Sequence, residues 1–514
     1  MGTFLLGLPS YFDRAVFSQL PAERAWRVAP YFEDDVHLTP KLTLNLGVRY
    51  DYMGPSTTAF PGGGVNFDPN TGNLLLGNLG SVSASEDVQP NYKNFEPRLG
   101  FAYKVLSNTV IRGGFGRAYY TAQYGGGTFG TMCCSYPIQT REDIHQPSNY
   151  FPIVFPGQTA SYVLNPNQAL PAVPANVFPS NGLIPILSVP GLGAFYVPFH
   201  NPTPYVDSWN FTVQRQLKPN LSLSAAYVGN VGRHGYGSWD LNAPIPGPGP
   251  LTSREPLYSS LGIDWTGIGE RSNSQNSDYH SLQVVLEKRF TGGYSIHSAL
   301  TWQKALDLPY GGSGDPYDRE LSIAPDGNNR TIVWVVSHEW HLPFGKGQHF
   351  GATAPAAEQA VLGGWVFNGV TTIMSGLPTG IGWSDTTSLN NSGDWGQRPD
   401  LVGNPLSSIP AGLWYNPAAF ADPAACTVTG FTCGYGNNDR VVIGPHFFTA
   451  SWSLWKEFRI KENIGLQLRF ESFNLFNSTN KGNPDGTAND STAGLITSTI
   501  VPMRQLQFGG RLTF

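Results

Sequence analysis

Residues 279–307 read YHSLQVVLEKRF, then TGG, then YSIHSALTWQKALD. In the first run Leu282, Val284 and Leu286 stand two apart; in the second, Ile296, Leu300 and Trp302 share one parity. A period of two puts each set on one side of an extended chain, with Gln283 on the other side. The short TGG segment between the runs is turn chemistry. The stretch therefore predicts an antiparallel hairpin with one oily flank and one wettable flank.

The same pattern recurs along the chain. Leu42, Leu44, Leu46, Val48 and Tyr50 alternate with Thr43, Asn45, Gly47 and Arg49, and a preceding strand over about 26–37 joins through Thr39-Pro40-Lys41. Further pairs fall at about 95–105 with 109–120, 206–217 with 221–230, 330–342 with 363–374, and 448–460 with 464–476. A last strand, LQFGGRLTF, occupies residues 506–514 alone. The total is about thirteen strands of roughly 9–13 residues, the length a tilted membrane strand needs. Partners are joined by turns of about 3–4 residues, except near residues 344–361. Successive pairs are separated by stretches of about 25 to 85 residues rich in Gly, Pro, Asn and Ser. Structureless loops of that length argue against a compact soluble domain. Short turns on one side and long loops on the other are what outer-membrane barrels show.

Composition agrees. Charged residues are 13% of the 514, aromatics are 13%, and there are 60 Gly and 42 Pro, which favours strands and turns over helices. The net charge of -5 gives no nucleic-acid footprint. No run of 18 apolar residues exists, so no membrane helix is expected. Mean hydropathy is only -0.20, as expected when half of each strand faces water. The expected fold is all-β, an antiparallel transmembrane β-barrel with long extracellular loops. A propeller would need a repeat of about 40–50 residues, which the irregular loops lack.

Catalytic and metal signatures are weak. His338, Glu339 and His341 in SHEWH lack the four-residue spacing of a zinc helix and sit in a strand pattern. FDPNTGN, residues 67–73, has Asn73 where a calcium loop needs Gly and reads as a turn. The glycine-rich stretches at 112–116 and 124–130 match no phosphate loop. No nucleophile–base–acid set is visible, so no enzyme and no cofactor are expected. Cys426 and Cys433 enclose TVTGFT in an expected outer loop. An oxidising exterior favours a disulfide between them, with reduced thiols or a metal site as alternatives. For Cys133 and Cys134 a vicinal disulfide, free thiols and a cross-loop pairing all stay open.

Several blocks resemble the TonB-dependent outer-membrane receptors, in particular their Oar-like branch. They are PYFEDDVHLTPKLTLNLGVRYDY (30–52), NFEPRLGFAYKV (94–105), TVIRGGFGRAYY (109–120), LPFGKG (342–347), YNPAAFA (415–421), LRFESFNLFNSTNKGNP (468–484) and RQLQFGGRLTF (504–514). They occur in family order over nearly the whole chain. The resemblance implies a barrel of about 22 strands around a plug, energised uptake of a bulky nutrient, and location in the bacterial outer membrane. The thirteen strands would be the C-terminal part of that barrel. An odd count, followed back from a periplasmic C-terminus, would make residues 1–24 a remnant of an extracellular loop and residues 25–514 the barrel portion. The TonB system would act only through a missing N-terminal plug. The ligand stays unknown. Phe508, Leu512 and Phe514 would form the signal that the barrel assembly machinery reads. Lumen-facing candidates are Arg49, Gln283, Gln467, Arg469 and Glu471. The outer loops over about 121–205 and 376–445 are expected to set selectivity. The competing reading is a structural or adhesive surface protein that transports nothing.

Overall fold

Strand-forming alternation finds its partner in the next segment of chain, because a two- or three-residue turn leaves no other strand within reach. The computed structural model describes residues 7–121, 135–145, 151–155, 159, 161–163, 170, 176–307, 323–384, 398–423, 428–429, 436, 440–461 and 463–514. Thirteen strands follow one another as an antiparallel meander. They are β1 (Tyr31–Thr39), β2 (Leu42–Tyr50), β3 (Phe95–Leu106), β4 (Thr109–Tyr119), β5 (Tyr205–Lys218), β6 (Leu221–Asp240) and β7 (Ile268–Thr291). The path continues through β8 (Tyr294–Asp307), β9 (Ile332–His341), β10 (Trp365–Met374), β11 (Phe447–Lys461), β12 (Ile464–Phe473) and β13 (Gln505–Thr513). Two short strands join the same sheet, Ala194–Tyr196 parallel to β7 and Ala324–Pro325 against β8. Among the described residues β1 and β13 each pair on one side only.

The first strand starts later than its periodicity suggests. Arg27–Val28 leaves the sheet and pairs with Tyr52–Met53, and Pro30, which has no N–H to give a ladder, separates it from β1. β6 and β7 overshoot the expected length, at 20 and 24 residues. Alternation continues there through small polar residues such as Ser272, Asn273, Ser274 and Gln275, so the pair extends beyond any hydrocarbon layer. The register slips at Gly235, beside His234 with φ 59°. In the TGG turn Gly292 and Gly293 both have positive φ, 62° and 77°, a conformation that only Gly adopts without penalty.

The two faces differ. Phe101, Phe115, Phe211, Tyr227, Leu282, Trp302, Ile332, Trp334, Leu468 and Phe508 lie on one face, which we call outward, and nearly all are exposed. Three glycines on this face stand opposite aromatics: Gly113 across from Phe101, Gly229 from Trp209, and Gly369 from Trp452. A Cβ on Gly229 would lie 2.7 Å from the Trp209 ring. Each ring covers the strand that its glycine leaves bare.

The main buried apolar clusters lie elsewhere. Every long connection leaves the same end of the meander, and there Val65, Phe67, Leu76, Ile184, Ile186 and Ile263 form one cluster, while Ile381, Tyr415, Phe420 and Val442 form another. The described parts of the connections are thus folded rather than structureless, a correction to the expectation from composition. Their apolar residues are too scattered to show a period, so only tertiary contact assembles them. The opposite end carries short turns and one longer connection, which holds a helix α1 (Ala356–Leu362). Lys456 of β11 reaches that helix and donates to the Ala360 carbonyl at 2.5 Å, a cation against the helix C-terminus.

Candidate functional site: the polar face and the loop layer

Register, followed strand by strand, decides which side chains share a face. Arg49 stands opposite Glu96, Gln283 opposite Ala226 and Thr301, and Gln467 opposite Glu457 and Arg511. Arg469 and Glu471 follow Gln467 at steps of two. All five belong to the face opposite the outward aromatics. Two pockets of about 630 and 470 Å³ open along this polar face. The larger is lined by Glu287, Arg289, His297, Glu339, Asn368 and Glu471 among others. The smaller spans β1 to β6 and passes over Glu33, Asn45, Arg98, Ser208 and Asn210.

Charges on the polar face are cross-braced. Arg49 Nε meets Asp51 Oδ1 at 2.5 Å and Glu96 Oε2 at 3.7 Å, and Arg27 reaches Asp51 at 3.0 Å. Glu96 Oε1 accepts the Tyr119 N–H at 2.8 Å. Arg469 and Glu471 pair at 3.3 Å. Buried carboxylates stay ionised only with such partners, so the loop end of β2 to β4 is a rigid polar corner.

The loop layer is held by buried asparagines. Asn66 donates to the Val197 carbonyl at 3.0 Å and accepts the Val197 N–H at 2.8 Å, tying the β2–β3 connection to the β4–β5 connection. Asn242 accepts the Leu257 N–H at 2.8 Å and donates to the Trp265 carbonyl at 2.8 Å. Asn480 pairs both ways with the Phe448 backbone, at 2.7 and 2.9 Å. Sequence reading missed these residues. The available signal was an Asn inside an apolar run, as in Val65-Asn66-Phe67.

Two titrating groups show how dry this layer is. Glu86, 1% exposed, lies against Gly64 and Gly77, and its Oε1 has no hydrogen-bond partner. Burial, reinforced by Glu23 and Asp87, pushes its carboxyl up to about 9. Tyr415 is fully buried, donates to the Asp485 carbonyl at 2.9 Å, and is pushed up to about 12 by burial. Asp485 itself lies below the ordinary carboxylate range, because its oxygens accept the Thr487 N–H and the Thr492 hydroxyl.

The remaining candidates fall as follows. His338 lies on the outward face between Ile296 and Gly369, while Glu339 and His341 lie on the polar face, 3.0 Å apart; no zinc-type cluster forms. Residues 67–73 form a hairpin turn in which Asp68 accepts from Asn70 and Thr71. Among the described residues no group of three potential metal ligands occurs. Cys133, Cys134, Cys426 and Cys433 lie outside the described residues. Phe508 and Leu512 stand on the outward face of β13, Phe508 packs on Phe470 with ring centroids 5.0 Å apart, and Phe514 follows as the exposed last residue.

Comparison with known proteins places this geometry. An outer membrane beta barrel domain family matches residues 1–507. Among solved structures, the outer membrane transporter YddB from Escherichia coli is similar at 12% identity and TM-score 0.45, covering 95% of this chain and 45% of that one. The ferripyoverdine receptor of the outer membrane of Pseudomonas aeruginosa has 9% identity and TM-score 0.43, covering 96% and 39%. A mutant of the ferric enterobactin receptor PfeA from Pseudomonas aeruginosa has 11% identity and TM-score 0.42, covering 95% and 45%. The chain spans less than half the length of each of these proteins. No curated protein matches the sequence. With its family matched over residues 1–507, this chain belongs to the outer membrane beta barrel domain family and is a protein of the outer membrane.

Proposed function

We propose that the chain is the barrel wall of an energised uptake receptor for a bulky nutrient, with the polar face toward the solute path. Arg49, Gln283, Gln467, Arg469 and Glu471 then face the lumen, and the folded loop layer selects what enters. The observation that carries this reading is the two-sidedness along the middle of the strands: one face is aromatic and exposed, the other carries the ion-paired polar groups. In lipid, such a wall is stable only with its oily side outward. Residues 1–24 belong with the outer loops in this reading, supported by the pairing of Tyr11–Phe17 with Gln139–His145. Coupling to the TonB system would enter through a plug domain, as in the receptors that the sequence blocks resemble. The terminal strand with Phe508, Leu512 and Phe514 would be what the assembly machinery recognises. No residue is assigned a catalytic role.

The test uses single cysteines in a background with the four native cysteines replaced by serine, refolded into vesicles. Folding of the background is checked by heat-modifiable migration. Gln467→Cys should react with a water-soluble maleimide, and Leu468→Cys should be shielded from it until detergent dissolves the vesicles. Equal behaviour at the two positions would overturn the reading. The folded loop cores favour one competing reading, a barrel that displays its surface without transport. A full-length receptor that retains its loops but takes up no solute would establish that alternative.

A further inference from the structure

The outward face is tiered near its loop end. Phe211, Tyr227, Leu282, Trp302 and Ile332 stand side by side across β5 to β9. One step toward the loops come Trp209, Gly229, His280 and Lys304. The next step holds Asp207 and Asp278. Each of these has its own arginine: Arg117 grips Asp207 with two bonds of 2.7 Å, and Arg233 meets Asp278 at 2.8 Å. Lys304 is exposed and has no ion-pair partner among the described residues. The His280 ring is fixed by the Tyr227 hydroxyl at 2.7 Å from Nδ1. With that hydroxyl donating, Nε2–H is the ring's remaining donor.

Tyr227, His280, Leu282, Trp302 and Lys304 of these tiers bound a pocket of about 450 Å³. Leu282 and Trp302 line its apolar part, His280 Nε2–H and the Lys304 ammonium supply its donors, and Thr331 and Ile443 from the connections complete it. We propose that this pocket holds a phosphorylated lipid of the outer leaflet, with an acyl chain along Leu282 and Trp302 and the phosphate on Lys304 and His280. The inference rests on the reading that the outward face meets lipid and the loop layer lies outside the cell. Given that reading, the tiers follow the order of a membrane boundary: apolar wall, aromatic belt, then charge. A free ammonium beside an apolar floor favours an anion carried on a hydrocarbon chain. Among the described residues the neighbouring carboxylates do not compete for Lys304, because Asp207 and Asp278 are already paired and Asp307 is paired with Arg440 at 2.7 Å. Asp326, on the connection above, accepts the Asn328 N–H and does not line the pocket. A soluble nutrient would instead meet the opposite face.

The test titrates residues 1–514, refolded in a neutral detergent, with diphosphoryl lipid A, its dephosphorylated form and inorganic phosphate, read by native mass spectrometry. Lipid A should bind, and removing its phosphates should weaken binding about tenfold. Lys304→Gln should cost a similar factor, Lys304→Arg should restore most of it, and inorganic phosphate should not displace the lipid. Heat-modifiable migration confirms that each variant is folded. Equal binding by Lys304→Gln, or by the dephosphorylated lipid, would overturn the proposal, as would displacement by free phosphate. The maleimide experiment at positions 467 and 468 separates the two failures. If its asymmetry persists while lipid A binding ignores Lys304, only the pocket is wrong; if it vanishes, the wall itself is wrong.

Discussion

Trp302 on the wall is 60% exposed, whereas Tyr415 in the loop layer is 0% exposed. Both are large aromatics, yet they belong to regions that satisfy the hydrophobic effect in opposite ways. The wall uses lipid as its core, so its side chains need only the correct face and carry little packing among themselves. The loop layer stands in water and must bury its own apolar groups. It therefore needs close packing and paired polar groups, which Asn66, Asn242 and Asn480 supply. The wall should thus tolerate changes of shape and reject charge, while the loop layer should do the reverse at its few buried positions.

The sharpest way to break this contrast is Tyr415→Ala. Loss of a fully buried ring should destabilise the loop layer by about 4 kcal/mol, read as faster hydrogen exchange over residues 415–420 and 485–494. Heat-modifiable migration of the wall should stay unchanged; joint loss of both would mean that the two regions fold as one. A charge pair on β8 sharpens the wall side. Leu300→Arg should cost about 3 kcal/mol in vesicles, while Thr301→Arg, one residue on and facing the other way, should cost less than about 0.5 kcal/mol. Equal costs from guanidinium unfolding would remove the lipid-facing assignment.

The third test uses pH. Glu86 keeps its proton when folded up to about pH 9, whereas an unfolded glutamate releases it near 4.5. The buried carboxyl therefore carries no penalty below the lower value, and a penalty that grows as pH rises between the two. Glu86→Gln should leave the loop layer unchanged at pH 4 and stabilise it by about 3 kcal/mol at pH 7. Limited proteolysis of the β2–β3 connection across that range would show it; a gain independent of pH would contradict the burial argument.

Much of the wall was legible from residues alone. Alternation in 42–50, 282–286 and 464–470 placed Arg49, Gln283 and Gln467 opposite the oily side, and the ladder agrees. The late start of β1 was harder to see, because Pro30 breaks a run whose apolar pattern continues through it. The overshoot of β6 and β7 was also hidden, since Ser and Asn alternate invisibly. The outward pocket at Lys304 needs three neighbours on adjacent strands, and no one segment contains them.

What the sequence determined by itself is the sidedness of each strand, because side-chain direction in an extended chain has a period of two and needs no partner to set it. Only the tertiary structure decided the loop layer. Its contacts join residues as far apart as Asn66 and Val197, 131 positions along the chain, and long-range contacts between irregular segments leave no local period to read.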